Sequence, residues 1–367
     1  MVAPACGAAA TVAGVGALTL TDLGGWPAVL GPLTSGRSLT SVLAEAAMAE
    51  VLEGAATPAQ LAGFIVALRM KGETVEELVG LLTAMLAAAE PVPLASTDGL
   101  VDTCGTGGDR SRTINVSTIA ALVVAGAGGR VCKHGNRAAS SACGSADLLE
   151  ALGVAIDLGP AGVARCIDEV GIGFCFAPRF HPAMRHAGPA RRELGVPTVF
   201  NFLGPMANPA RVRRQVLGVS DPSMAERMAQ VLGANGAERA LVVYGHDGLD
   251  ELTTTTTSTV LELRDGGLRT YVVDPVELGL APADPAELKG GDAATNASLA
   301  RAVLGGEPGP RRDVVLLNAA AGLVAAGLAD DLVDGLVLAA SSIDEGRAAA
   351  TLDRLVDIST AARTAGG

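Results

Sequence analysis

The spacing of apolar residues predicts a helical region over residues 26–90. In residues 38–54, SLTSVLAEAAMAEVLEG, apolar side chains recur at intervals of three and four positions, and a glycine closes the run. Residues 57–72 open with Thr-Pro, which suits an N-cap followed by the first helical position. Residues 74–89 place two glutamates in a first turn, where the helix dipole favours them. Prolines at 91 and 93 then indicate a linker.

From about residue 99, short apolar runs alternate with helical stretches. The predicted strands are LVDTCG, RVCKHG, RQVLGVS, RALVVYG, TVLELRD and LRTYVVD. Such alternation is typical of an α/β domain with a mostly parallel sheet. We therefore expect a small all-helical domain of residues 26–92, joined by helices from 160–205, and a larger α/β domain formed by 93–159 and 206–367.

Composition and charge restrict the functional classes. A chain of 367 residues favours two domains, and its formal net charge of −12 argues against a general nucleic-acid binder. Residues 1–25 lack the basic start and leucine-rich centre of a secretory signal, so we expect a disordered extension. Six cysteines without a CxxC motif favour reduced thiols. With no run apolar enough for a membrane span, the expected location is the cytoplasm.

The segment VDTCGTGGDRSRTINVST, residues 101–118, gathers glycines, hydroxyls and charges between a predicted strand and a predicted helix. Gly105, Gly107 and Gly108 lack a Cβ, so their N–H groups can approach an anion closely. Asn115 lies at the start of the next helix, where unpaired N–H groups bind phosphate. The segment matches neither the Walker A motif nor GxGxxG. It predicts a phosphate loop, with a tight ligand-free connection as the alternative.

A second loop, KHGNRAASSACGSAD at residues 133–147, repeats this chemistry. Lys133 and Arg137 supply positive charge, and three serines supply hydroxyl groups before another helix. Two such loops would lie side by side at the carboxyl edge of a parallel sheet, where ligands bind. Their cations would provide the local positive charge that an anionic ligand requires in an acidic protein. A solvated basic loop is the alternative.

Two further segments carry candidate binding groups. Asp250 and Glu251 in HDGLDELTTTT suit Mg²⁺, which takes one or two protein carboxylates together with phosphate oxygens and water. Taken alone, such a pair favours a solvated surface, and the two neighbouring loops are what favour the metal site. The stretch APRFHPAMRHAGPARRELG concentrates arginines, and arginine binds carboxylates in bidentate fashion. Most of the six basic residues in this stretch are expected to face solvent or to form structural ion pairs, which leaves one or two to face a ligand.

Together, GTGGD, NVST, KHGNRAASS, RFHPAMRHAGPARRELGVPTVFNFLGPMANP and DGLDELT resemble the motifs of the anthranilate phosphoribosyltransferase family, in order from about residue 30 onward. The resemblance implies transfer of the phosphoribosyl group of 5-phosphoribosyl 1-pyrophosphate (PRPP) to the amine of anthranilate, the second step of tryptophan biosynthesis from chorismate. Pyrophosphate is released and Mg²⁺ is required, with two ions expected per monomer. A hinge between the two domains and a homodimer formed through the helical domain are also implied.

The resemblance carries site residues onto matching positions. Those implied to bind PRPP are Gly105, Gly108, Asp109, Thr113, Asn115, Val116, Ser117, Thr118, Lys133, His134, Gly135, Asn136, Arg137, Ala138, Ala139, Ser140, Ser141 and Ser145. Those implied to bind anthranilate are Gly105, Asn136 and Arg191, and those implied to bind metal are Ser117, Asp250 and Glu251. His134 would neighbour the reacting groups, as a proton acceptor or as a positioning hydrogen-bond partner.

Two alternatives share the implied architecture. Pyrimidine nucleoside phosphorylases do so, but KHGNR and DELT fit them poorly. A non-catalytic, nucleic-acid-binding paralogue should present a basic face, whereas this acidic chain contains three lysines. The acid pair and Arg191 favour the enzyme.

Overall fold

The computed structural model describes residues 18–109, 111–138 and 142–366. The N-terminal helices are α1 (Gly25–Thr34), α2 (Ser41–Glu53), α3 (Pro58–Lys71) and α4 (Val75–Ala87). The predicted caps form: Thr57 and Gln60 make a reciprocal capping box with Pro58 at the first helical position. Gly54 ends α2 with a φ of 77°, a left-handed conformation in which glycine avoids strain.

The α/β domain is built on one mixed sheet. Its strands are β1 (Leu100–Gly105), β2 (Arg130–Gly135), β3 (Ile172–Phe176), β4 (Arg214–Gly218), β5 (Arg239–Gly245), β6 (Ser258–Arg264) and β7 (Gly267–Val273). In the described chain they are ordered β3-β2-β1-β4-β5-β6-β7, parallel as far as β5 and antiparallel through β6 and β7. The predicted α/β class with a mostly parallel sheet is confirmed. Strand β3 was not predicted, because IGFCF lies within a stretch that we assigned to helix.

The remaining helices alternate with the strands or follow them along the chain. They are α5 (Val116–Gly126), α6 (Ser145–Ala151), α7 (Pro160–Val170), α8 (Ala177–Phe180), a 3₁₀ helix (Pro182–His186), α9 (Gly188–Leu194), α10 (Phe200–Met206), α11 (Pro222–Ala234), α12 (Ala293–Leu304), α13 (Pro310–Ala326), α14 (Leu332–Asp344) and α15 (Arg347–Thr364). Within the part of the chain that the structure describes, no helix combines the length and apolar character needed to cross a membrane.

The two faces of the sheet pack into different cores. Leu241 and Val243 of β5 face the core that contains α5, α7 and α13, whereas Val242 faces the core of the helical domain and α11. This alternation follows from the two-residue period of side chains along a strand. The helical domain is therefore continuous with one face of the sheet, and the carboxyl ends of the parallel strands lie beside it.

The domain boundaries differ from those expected at two places. Residues 160–205 divide between the domains, because α7, β3 and Phe180 pack in the sheet core, while α9 and α10 pack with the helical domain. Residues 1–17 of the expected N-terminal extension lie outside the described residues. Leu20, however, is 1% exposed and packs in the helical core, so that domain begins before residue 26.

Glu77 joins three parts of the helical domain. Its carboxylate accepts hydrogen bonds from the Leu39 N–H at 2.9 Å, from Lys71 Nζ at 2.8 Å and from the Thr74 N–H at 2.8 Å. Both Glu77 and the Lys71 ammonium are largely buried. A first-turn acid at residue 77 was predicted from the helix dipole alone, whereas its ion pair depends on the packing of α3 against α4.

We expect Glu77→Ala to lower the free energy of unfolding by about 3 kcal/mol, because the buried Lys71 ammonium loses its partner. Urea denaturation followed by circular dichroism measures this change. The control is Glu76→Ala on the exposed side of the same turn, with an expected change below about 1 kcal/mol. Equal effects of the two substitutions would contradict the role given to the buried pair.

Candidate active site

The first predicted phosphate loop, between β1 and α5, contacts the acid pair directly. The Gly107 N–H donates a hydrogen bond to Asp250 Oδ2 at 2.7 Å. A Cβ on Gly105 would lie 2.3 Å from the same oxygen, so a larger residue would displace the carboxylate. Residues more than 140 positions apart in sequence thus form one surface at the end of β1.

Asp250 and Glu251 form a confined concentration of negative charge. Glu251 Oε1 accepts the Ser117 N–H at 3.2 Å, at the N-terminus of α5. Burial raises the pKa of Asp250, and the nearby Asp109 carboxylate raises it further. Burial likewise raises the pKa of Glu251, with a second contribution from Asp250. Acids held close together out of water favour either a proton or a bound cation.

Lys133, at the start of the second loop, extends its side chain from β2 toward β1 and the first loop. It is 2% exposed, its ammonium donates to the carbonyl oxygen of Thr103, and it lies 3.4 Å from Ser117 Oγ. The Thr103 hydroxyl in turn donates to the Ser117 carbonyl at 3.0 Å. A buried cation is therefore placed where the two loops meet, close to the acid pair.

Asn115 connects the two loops. It occupies the N-cap position of α5 but makes no side-chain capping bond. Its Nδ2 instead donates to the Cys143 carbonyl at 3.0 Å, and its Oδ1 accepts from Asn296 Nδ2 at 2.9 Å. Thr113, before it, pairs with Lys289 as an isolated β-bridge. The first loop is thus fixed against the second loop and against the segment that precedes α12.

Beside the loops lies a cavity of about 720 Å³ between the helical domain and the sheet edge. Its walls include Cys104, His134 and Asn136 from the sheet side, and Met85 and Phe200 from the helical side. This mixture of apolar walls and a few polar groups suits a small planar ligand.

Arg191 of α9 lines this cavity without a counter-charge. Its guanidinium stacks over the Phe200 ring at 5.1 Å from the ring centroid. Burial alone lowers the pKa of Arg191, with no contribution from a neighbouring acid. A partly buried guanidinium without a carboxylate partner among the described residues is poised to bind an anionic ligand.

Two histidines meet on the opposite wall. The ring centroids of His134 and His181 are 5.1 Å apart, and both Nε2 atoms are buried without a hydrogen-bond partner among the described residues. Burial, together with the neighbouring His181 and Lys133, lowers the pKa of His134 to about 3. Burial also lowers the pKa of His181. Both imidazoles are therefore neutral near pH 7, and each keeps one buried ring nitrogen without a hydrogen-bond partner among the described residues.

Comparison with known proteins agrees with this geometry. Residues 27–89 match the helical bundle domain of a glycosyl transferase family, and residues 97–349 match its a/b domain. An anthranilate phosphoribosyltransferase of Acidothermus cellulolyticus is 58% identical over 348 residues, covering 93% of this chain and 97% of the relative. The chain belongs to the anthranilate phosphoribosyltransferase family.

Solved structures of this family share the fold. The crystal structure of anthranilate phosphoribosyltransferase from Thermus thermophilus matches with a TM-score of 0.86 and 44% identity, covering 90% of this chain and 99% of the other. The enzyme from Saccharomyces cerevisiae in complex with PRPP and Mg matches with a TM-score of 0.83 and 28% identity, and the match covers 92% of this chain and 98% of the yeast chain. The resemblance seen in the sequence motifs is thus confirmed over nearly the whole chain.

Most of the predicted site residues converge at the sheet edge, with some differences. Arg137 is engaged elsewhere, since its guanidinium contacts Asp147 and Glu150 of α6, each at 2.8 Å. Val116 and Thr118 are buried, so they can reach a ligand only through their backbone. Ala139, Ser140 and Ser141 lie outside the described residues.

Sequence reasoning did not single out Asp102 and Asn208, which are both buried and joined by a 2.9 Å hydrogen bond. The detectable signal was a charged residue inside the apolar strand LVDTCG, since buried carboxylates are rare unless they are paired. Asn208 lies in an Asn-Pro sequence that is typical of a turn, so nothing local distinguished it.

Proposed function

We propose that this chain transfers the phosphoribosyl group of PRPP to the amine of anthranilate, using Mg²⁺, with the two loops holding PRPP and the adjacent cavity holding anthranilate. The observation that supports this most is that the acid pair and the loops lie beside a cavity lined by Arg191, which has no acidic partner among the described residues. Anionic and aromatic substrates therefore have neighbouring, chemically distinct sites. The relatives named above carry this activity in their names.

The PRPP half of the site is formed by fixed donors. Backbone N–H groups of Gly108 and of the loop before α5 would donate to the pyrophosphate, and Lys133 adds a buried positive charge. Departure of pyrophosphate leaves a ribosyl carbon with oxocarbenium character. Donors that are already oriented stabilise the charge on the leaving group without reorganisation. Ser145 begins α6 beside Asn136, where its hydroxyl donates to the Asn136 carbonyl at 3.2 Å.

The donor set also fits Mg²⁺. Burial raises the pKa of both Asp250 and Glu251, and a neighbouring carboxylate raises each further, Asp109 for Asp250 and Asp250 for Glu251. The Ser117 hydroxyl, next to the N–H that binds Glu251, would be a further ligand. Among residues 18–109, 111–138 and 142–366, no three His, Cys, Asp or Glu side chains form a metal site by themselves. Substrate oxygens and water would complete the coordination, as Mg²⁺ prefers. Two ions per monomer would neutralise the pyrophosphate as it leaves.

The anthranilate half of the site orients the acceptor. Arg191 would hold the carboxylate through paired N–H donors, while the wall formed by Phe200 and Met85 contacts the ring. Gly105 leaves room at the end of β1, and Asn136 lines the same cavity. Because the aromatic amine is neutral at pH 7, orientation contributes more than proton removal.

His134 therefore positions a substrate rather than acting as a strong base. A pKa of about 3 makes its imidazole a poor proton acceptor. We expect His134→Asn, which keeps a neutral polar group, to lower kcat less than about tenfold, whereas loss of a general base costs about 10²–10⁴-fold. Steady-state kinetics at saturating concentrations of both substrates distinguishes the two roles, and a loss above about 10² would restore the general-base interpretation.

The activity itself is tested by the fluorescence of anthranilate, followed in time with PRPP and MgCl₂ and again with each omitted. Loss of signal only in the complete mixture supports the transferase. A stable signal from a folded protein that still binds PRPP would indicate a different acceptor.

We place the chain in the cytoplasm as a homodimer formed through the helical domain. The family resemblance implies this dimer, and Val42 of α2 and Met70 of α3 are exposed apolar side chains of that domain. Light scattering coupled to size-exclusion chromatography measures the mass, and a monomer at micromolar concentration would overturn the dimer.

A further inference from the structure

Strands β1 and β2 are neighbours in the sheet, yet they separate before their carboxyl ends. Within these two strands, both described in full, backbone pairing joins Leu100 to Arg130 and Val101 to Val131 and then stops. On their other sides, β1 stays paired with β4 as far as Gly105, and β2 stays paired with β3. The gap therefore opens between the two strands that carry the phosphate loops.

Asp102, the first residue of β1 beyond the last pair, fills this gap. Its side chain is 0% exposed. Oδ1 accepts the backbone N–H of His134 at 3.1 Å, and Oδ2 accepts from Asn208 Nδ2 at 2.9 Å. The Asp102 carboxylate thus joins β1 and β2 where their backbones no longer pair. It binds the backbone N–H of His134, at the start of the second loop.

The buried charge is compensated by specific neighbours. Burial raises the pKa of Asp102, and the Lys133 ammonium and the hydrogen-bond donors act in the opposite direction. Lys133 itself donates to the carbonyl of Thr103, the next residue of β1. A side-chain acid from β1 and a side-chain cation from β2 thus join the strands where backbone pairing has ended.

Asn208 fixes Asp102 in place. It is 2% exposed and lies between α10 of the helical domain and β4. Its Nδ2 also donates to the Cys132 carbonyl at 2.8 Å, and its Oδ1 accepts the Ala210 N–H at 2.9 Å. Both side-chain polar atoms of Asn208 are used, so it holds the Asp102 carboxylate against β2 in one orientation.

We propose that Asp102, held by Asn208, is a positioning residue that sets the separation of the two phosphate loops and thereby the affinity for PRPP. This inference rests on the proposed function, since it assumes that both loops bind PRPP. A residue important for folding alone would change the melting temperature without changing ligand affinity in the folded protein. The distinguishing quantity is therefore the Kd of PRPP.

Asp102→Asn keeps the shape of the side chain and an acceptor for the His134 N–H, but it directs an amide donor at the donor of Asn208. We expect the Kd of PRPP, measured by isothermal titration calorimetry with MgCl₂, to rise about tenfold. Adding Asn208→Asp places an acceptor opposite the new amide and restores the negative charge. The double variant is expected to recover most of the tenfold loss of PRPP affinity, although the hydrogen bond from residue 208 to the Cys132 carbonyl is absent from it.

The control is Ser359→Ala, which removes another buried hydrogen bond, from the Ala155 N–H at 3.0 Å. It should lower the melting temperature and leave the Kd of PRPP unchanged. If the wild-type protein does not bind PRPP, the proposed function itself is overturned. If the wild type binds and Asp102→Asn binds equally well, or the double variant recovers nothing, the positioning role is overturned.

Should Asp102→Asn fail to fold, Asn208→Ala releases the carboxylate without altering either strand. Its expected effect is a rise of about threefold in the Kd of PRPP, and an unchanged Kd would overturn the inference.

Discussion

The combined substitution Asp250→Asn and Glu251→Gln is expected to lower kcat/KM for PRPP about 10³-fold at a fixed concentration of MgCl₂. Both carboxylates are held in place, Asp250 by the Gly107 N–H and Glu251 by the Ser117 N–H. The amides keep the shape and some hydrogen bonding but remove the charge that attracts a cation. Initial rates measured over a series of MgCl₂ concentrations should show that much more metal is required.

The matched control is Asp265→Asn in the exposed turn between β6 and β7, for which rates should be unchanged.

Protonation supplies a second test of the acid pair. Folding raises the pKa of Asp250 to about 6 and that of Glu251 to about 8. Between the ordinary pKa of each acid and its raised value, the folded protein without metal binds more protons than the unfolded chain. Its stability should therefore fall as the pH rises through that window, and the double variant should lose this dependence. An unchanged magnesium requirement would argue against a metal site here.

Arg191→Ala is expected to raise the KM for anthranilate about 100-fold while the Kd of PRPP changes less than about twofold. The guanidinium has no acidic partner among the described residues and stacks on Phe200, so its removal leaves a substrate carboxylate unpaired in a partly desolvated cavity. Steady-state kinetics with each substrate varied in turn separates the two effects.

Two further variants sharpen this test. Arg191→Lys keeps the charge but loses the paired donors and the stacking, so an intermediate KM is expected. Arg165→Ala removes an exposed arginine that pairs with Glu169 on α7, and both constants should stay at their wild-type values. If Arg191→Ala weakened the binding of anthranilate and of PRPP equally, Arg191 would shape the whole cleft instead of binding the anthranilate carboxylate.

The elements that were predictable are those that depend on neighbouring residues. Thr57 with Pro58 determines where α3 begins, and Gly54 determines where α2 ends, because caps are satisfied within one turn. Six of the strands follow from short apolar runs between turns. The two loops proposed to bind phosphate lie between a strand and a helix, as their glycines and hydroxyls predict, and this local chemistry also carried the family resemblance.

Other features depend on pairing between distant segments. The five apolar residues of β3 suit a buried strand or a buried helix equally well. They form a strand because they pair with β2 in the sheet. Arg137 carries the same charge whether it meets a phosphate or the carboxylates of α6, and only the fold brings Asp147 and Glu150 within 2.8 Å of it.

The sequence by itself determined the family, the two-domain character and the chemical groups that we propose bind the substrates, since these depend on residue type and short spacing. The tertiary structure alone decided how those groups meet. It placed Asp250 against Gly107, left Arg191 without an acidic partner among the described residues and separated β1 from β2 around Asp102. The physical reason is that burial and long-range hydrogen bonds, which arise only when distant segments pack, give each of these groups its charge state and its direction.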